Sequence, residues 1–141
     1  MIKKNNKKKY KLIIAGSRTI SDMKVLEKSI SFFKIKIEDI EEVISGTAYG
    51  VDKLGEWFAE KYNIPVKQFP AKWNDLETKP VFIKENQHGP YNCLAGIVRN
   101  REMAKYGDKL LAIMVSEGSS GTENMIEEME KLGKPVDVYE V

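Results

Sequence analysis

The feature that most constrains this chain is the segment Lys11-Leu-Ile-Ile-Ala-Gly16-Ser17-Arg18, where four apolar residues run directly into a glycine, a hydroxyl and a guanidinium. A continuous apolar run without polar alternation suits a strand covered on both faces, as in a parallel sheet. Gly16 permits a tight turn that a side chain would resist. Ser17 and Arg18 then fall just past the carboxyl end of the strand, with a helix to follow. Strand, glycine turn and helix N-terminus together present backbone N–H groups and partial positive charge to an anion.

The same unit recurs along the chain. Ser21 is positioned to cap a helix from Asp22, whose inner stripe is Met23, Leu26, Ile30, Phe33 and Ile37. Glu42 to Ser45 reads as a second strand, followed by Gly46-Thr-Ala-Tyr-Gly50-Val-Asp52 and a helix that buries Val51, Leu54, Phe58 and Tyr62. Asn63 and Pro65 stop that helix, and Pro65 to Phe69 makes a short edge strand. A helix follows over about Ile97 to Tyr106, then the apolar strand Lys109 to Val115 and the turn Ser116-Glu-Gly118-Ser119-Ser120-Gly121-Thr122. Ser120 and Glu123 have capping-box spacing, Met125, Met129 and Leu132 form the inner face, and Glu127 with Lys131 makes a surface i,i+4 pair. Gly133 and Pro135 close the helix, and Val136 to Val141 alternates as the last strand.

Strands alternating with helices imply a single Rossmann-like α/β domain of three layers, a parallel sheet with helices on both faces. The two most apolar strands belong at the centre and the alternating ones at the edges, which gives five strands in the order 3-2-1-4-5. A ligand in such a sheet lies outside the carboxyl ends of the strands where the order reverses. Residues 10–141 form this domain and residues 1–9 a flexible basic tail. Residues 70–95 are an irregular loop with three prolines, the only histidine and the only cysteine. They form either a lid over the ligand or a surface insertion packed by its own aromatics.

Bulk composition narrows the function classes. A net charge of +2 does not build the whole surface for nucleic acid, although the lysine-rich start would suit a phosphate-tracking arm. One cysteine rules out an internal disulfide and any zinc cluster. No apolar run approaches the roughly 18 residues of a membrane span, and Leu12 to Ala15 is too short for an export signal. The expectation is a cytoplasmic protein with no membrane partner, no metal and no cofactor.

Three glycine turns meeting at one sheet edge make an anion cradle. Gly16, Ser17 and Arg18 would hold one phosphate, Gly46 and Gly50 allow close backbone approach, and Gly118 to Thr122 would take the ribose or a second phosphate. Ser45, Thr47, Ser119, Ser120 and Thr122 add hydroxyls. Arg99, early in its helix, opposes the helix dipole unless it serves a bound phosphate. Arg101 is as readily a surface residue or an ion pair with Glu102 or Asp108. Asp52 either caps its own helix or joins Glu123 as a carboxylate pair. Gly16-Ser-Arg-Thr is not the G-x-G-x-x-G fingerprint of ordinary NAD binding, G-K-[ST] is absent, and His88 with Cys93 is a poor catalytic pair.

Ile13 to Arg18, Ser45 to Asp52, Pro70-Ala-Lys-Trp73, Arg99-Asn-Arg-Glu-Met103 and Gly121-Thr122 occur in that order. With them the chain resembles the YspA-type, cpYpsA-related branch of the SLOG superfamily over Tyr10 to Val141. That resemblance implies a Rossmann-like fold, a pocket for a nucleotide or nucleotide-derived ligand, a bacterial or phage setting and a homodimer. Two related families suggest alternatives. Lonely-guy phosphoribohydrolases cleave the N-glycosidic bond of nucleoside monophosphates, and Arg99 to Met103 and Gly118 to Thr122 are similar to parts of their motifs. Their glutamate falls at Met125, which leaves Arg99 and Glu123 as the catalytic candidates for a nucleotide N-glycosidase. DprA proteins carry a loop similar to Ser45 to Asp52, which implies single-stranded DNA binding.

Overall fold

A computed structural model describes residues 8–116 and 119–141. In chain order the elements are β1 (Tyr10–Gly16), α1 (Met23–Phe32), a 3₁₀ turn (Ile37–Asp39), β2 (Ile40–Ser45), α2 (Val51–Lys61), β3 (Val66–Gln68), β4 (Ile83–Asn86), β5 (Gly89–Asn92), α3 (Ala95–Tyr106), β6 (Lys109–Met114), α4 (Ser120–Lys131) and β7 (Val136–Glu140). Five strands form one parallel sheet in the order β3-β2-β1-β6-β7, which is the expected 3-2-1-4-5 once β4 and β5 are set aside.

The apolar run of β1 explains its central place. Leu12 and Ile14 pack on α1 and α2, while Ile13 and Ala15 pack on α3 and α4, so both faces of the strand are covered. β6 divides the same way, with Leu111 and Ile113 on the first face and Leu110 and Ala112 on the second. Burying each of these leucine and isoleucine side chains contributes about 1.5–3 kcal/mol. β3 is exposed along its length, as an edge strand can be. Asn63 and Gly133, at φ 57° and 68°, end α2 and α4 where the sequence places the stops.

Several local expectations are corrected. Asp22, not Ser21, caps α1, and its carboxylate accepts the Lys24 N–H at 2.9 Å. α1 ends at Phe32 and Lys34 takes φ 54°, so Ile37 lies in the 3₁₀ turn, although it still packs on the core. The segment 70–95 is not structureless, because β4 and β5 pair as an antiparallel hairpin. The capping box at α4 does not form: Ser119 is the N-cap and makes no side-chain capping bond. Lys131 pairs with Glu128 at 3.6 Å rather than with Glu127. Residues 1–7 of the expected basic tail and Gly118 lie outside the described residues. Among the described residues no helix is long and apolar enough to cross a membrane.

Candidate functional site

The sheet order reverses around β1, so the segments after β1, β2 and β6 open at one edge. Ser17 ties them together. Its N–H donates to the Ile113 carbonyl at 3.0 Å, its Oγ accepts the Val115 N–H at 3.1 Å, and its carbonyl accepts the Val51 N–H at 3.2 Å. Ser17 is only 3% exposed, so its hydroxyl organises the loops, while Arg18 beside it is exposed. Gly16 serves a different purpose from the expected turn. A Cβ there would lie 1.9 Å from the Ile113 carbonyl oxygen, so the glycine lets β1 and β6 close up.

Gly50, at φ 78°, is the N-cap of α2, and a Cβ on it would meet the Ser17 carbonyl oxygen at 2.4 Å. Both the backbone conformation and the contact exclude a side chain. Gly50→Ala is therefore expected to lower folding stability by about 1–3 kcal/mol, from the strain alone. A denaturant melt checks this, and an unchanged midpoint would contradict it.

The β2–α2 loop brings the charged groups together. A Cβ on Gly46 would lie 2.8 Å from Arg99 Nη1 and 2.9 Å from Asp52 Oδ2, so this glycine makes room for both. Arg99 Nη1 donates to the Gly46 carbonyl at 2.5 Å and to the Phe69 carbonyl at 3.4 Å, and its Nε donates to Asn100 Oδ1 at 2.9 Å. These bonds fix the guanidinium without neutralising it. Among the described residues, no carboxylate lies within ion-pair distance of Arg99 or Arg18. Burial pushes the Arg99 pKa below its ordinary value, and Arg18 adds to the effect, while Asp52 opposes it.

Asp52 is 6% exposed and accepts the Ala48 N–H at 3.1 Å. It thus braces the loop before its own helix rather than standing at the N-cap. Burial raises its pKa from 3.8 to about 6, against the lowering influence of the Ala48 N–H, Arg99 and Arg18. Ser45 is fully buried, donates to Glu56 Oε2 at 2.6 Å and accepts the Thr47 N–H at 3.0 Å, so its hydroxyl is used internally. Thr47 sits at φ 67°, a left-handed conformation that is strained for a β-branched residue.

Three clefts meet at Arg18 and Arg99, which line all of them. A small floor cleft of about 70 Å³ runs over Gly16, Asp52, Met103, Thr122 and Met125. A first outer cleft of about 360 Å³ lies between Thr47, Tyr49, Pro70 and Trp73. A second outer cleft of about 460 Å³ lies between Trp73, Cys93, Ser119, Ser120, Gly121 and Asn124. Among the described residues that line them, Asp52 is the one carboxylate, against two guanidiniums, which favours an anion over a metal ion.

Gly46, Thr47, Ser119, Ser120, Gly121 and Thr122 therefore border the clefts, as their place in the sequence suggests. Ser45 and Ser17 support the site from behind. Glu123 does not reach it: the side chain is exposed on α4 and lines none of the three clefts. Met125 takes the inward position instead and supplies a thioether. Arg101 is also outside, paired with Glu128 at 3.4 Å rather than with Glu102 or Asp108. The hairpin β4–β5 lines none of the three clefts, whereas Pro70, Ala71, Trp73 and Cys93 flank it in sequence and do. Tyr49, Trp73, Asn100 and Asn124 were absent from the residues expected to bind. The signal for Tyr49 and Trp73 was their aromatic character in loops, where no core claims them.

No family model matches the chain, and no curated protein sequence matches it. Among solved structures, the chain is similar to the X-ray structure of DNA processing protein A (DprA) from Streptococcus pneumoniae, with a TM-score of 0.62 at 18% identity. The likeness covers 94% of this chain and 50% of that one, so the chain spans about half the length of this neighbour. What the comparison establishes is the fold, a Rossmann-like α/β domain shared with DprA.

Proposed function

We propose that this chain is a SLOG-type, YspA-like domain that binds a phosphate-bearing nucleotide or nucleotide-derived ligand at the carboxyl edge of its sheet. The observation that carries this reading is Arg99, a partly buried and firmly held guanidinium with no carboxylate partner among the described residues, at the junction of three clefts beside Arg18. A phosphate is the natural complement to two guanidiniums, and burial strengthens the attraction. The hydroxyls and amides of Ser119, Ser120 and Asn124 suit a sugar, and the ring of Trp73 suits a base. Such a ligand is a cytoplasmic metabolite. The glycosidase alternative loses its expected carboxylate, because Glu123 stays outside the clefts.

Calorimetric titration with AMP and ADP-ribose tests the proposal. One site per chain with a dissociation constant near micromolar, about −8 kcal/mol, is expected. No heat with either compound at millimolar ligand would contradict it.

Single-stranded DNA is the second reading, favoured by Tyr49 at 79% exposure beside Arg18 and by a fold neighbour named for DNA processing. It predicts that log affinity for an oligothymidine falls steeply with log salt, with a slope of about −0.7 per phosphate neutralised. A flat salt response would dismiss it.

A further inference from the structure

Trp73 lines both outer clefts, and it is the aromatic residue they share. The indole is anchored from behind. Its ring meets Tyr91 edge-on at 6.4 Å, its carbonyl accepts the Asn92 N–H at 2.8 Å, and a Cβ on Gly96 would lie 3.2 Å from its Cη2. It nonetheless remains 39% exposed. A fixed, partly bare indole bordering two recesses is a preorganised stacking wall.

The two recesses that share this indole are similar in size and different in character. Each, at about 360 and 460 Å³, lies within the span of roughly 300–1,000 Å³ that single ligand pockets cover. The first adds the exposed ring of Tyr49, which suits a second stacked base. The second is rimmed by Ser120 and by Asn124, whose Oδ1 accepts from Asn100 and whose NH₂ has no partner among the described residues. Arg18 and Arg99 border both. A mononucleotide would fill one recess and leave the other in water.

We infer that the ligand is a dinucleotide, two nucleosides joined through phosphate, that straddles Trp73 with its phosphate bridge on Arg18 and Arg99. This rests on the nucleotide reading above and names the class of nucleotide. The bridge chemistry has two sources, a pyrophosphate between two 5′ carbons or a 3′–5′ phosphodiester, and both present an anion flanked by two bases.

The test is calorimetric titration of the full chain with AMP, ADP, the pyrophosphate-linked diadenosine diphosphate and the phosphodiester-linked dinucleotide pApA. One of the two dinucleotides is expected to bind at least tenfold more tightly than AMP and ADP, and which of them does so identifies the bridge. Trp73→Ala and, separately, Tyr49→Ala are expected to reduce that advantage to under threefold, while Trp73→Phe keeps most of it. AMP or ADP binding as tightly as both dinucleotides would overturn the inference and leave the nucleotide reading standing. An advantage that survives both alanine variants would also overturn it. Silence from all four compounds would instead sink the nucleotide reading itself, and this inference with it.

Discussion

Replacing Arg99 by methionine is expected to weaken nucleotide binding about 10- to 100-fold, the effect of losing hydrogen bonds worth roughly 1.5–3 kcal/mol to a charged group. The effect is large because this guanidinium is partly buried, is held by the Gly46, Phe69 and Asn100 oxygens, and has no carboxylate competing for it among the described residues. Arg18→Met removes an exposed charge in high dielectric, so about a threefold to tenfold loss is expected there. Arg99→Lys keeps the charge and loses the planar fork, and its affinity should fall between wild type and Arg99→Met. Calorimetry with ADP-ribose reads all three. Arg99→Met will also melt earlier, because two carbonyls lose their donor, so the lysine variant separates binding from folding. Wild-type affinity in both Arg99 variants would contradict this assignment.

The second large effect concerns Asp52. Its folded-state pKa of about 6 lies above the ordinary 3.8, with burial as the main cause. Between those two values the folded protein holds a proton that the unfolded chain releases, so stability falls as pH rises through that window. The cost is complete above about pH 6 and absent below about pH 4. Asp52→Asn keeps an oxygen for the Ala48 N–H and cannot ionise. The variant is therefore expected to be more stable than wild type at pH 7.5, by up to about 3 kcal/mol, and no more stable at pH 4. Thermal melts at the two pH values check this, and a variant destabilised at pH 7.5 would contradict it.

The same charge acts on the ligand. Arg99, Arg18 and Glu56 are the charged groups whose fields reach Asp52, and its ionisation above pH 6 cancels part of the positive field. Wild-type affinity for ADP-ribose, whose pyrophosphate does not titrate in this range, should fall between pH 5.5 and 7.5. Asp52→Asn should flatten that dependence. A buried carboxylate that costs stability, at the junction where the clefts meet, fits the proposal that these residues are kept for binding.

The sheet was legible because its central strands carry the one pattern that has few structural uses. Leu12 to Ala15 and Leu110 to Met114 are apolar at every position, and only burial on both faces accounts for that. Alternation in Val136 to Glu140 placed that strand at an edge just as directly. The hairpin escaped notice for the opposite reason. Ile83 to Asn86 is exposed throughout, its partner contains Pro90, and no periodic burial marks either strand. At α4, capping-box spacing was present but the helix began one residue earlier, with Ser119 at the N-cap, and Glu123 points outward while Met125 packs inward as its apolar spacing predicts. A single-residue shift rotates a helical side chain by about 100°, and short motifs do not set that phase. The glycines and arginines of the site were visible as residue types out of place in a core or on a plain surface. Trp73 stood out only as an aromatic in a loop, because the backbone path that brings it over Gly96 depends on the hairpin.

The most direct measurement is a crystal structure of the full chain grown with ADP-ribose. Phosphate density between the guanidiniums of Arg18 and Arg99, within hydrogen-bonding distance of both, is the result expected. Phosphate bound elsewhere on the molecule, with these two side chains turned to solvent, would contradict the account.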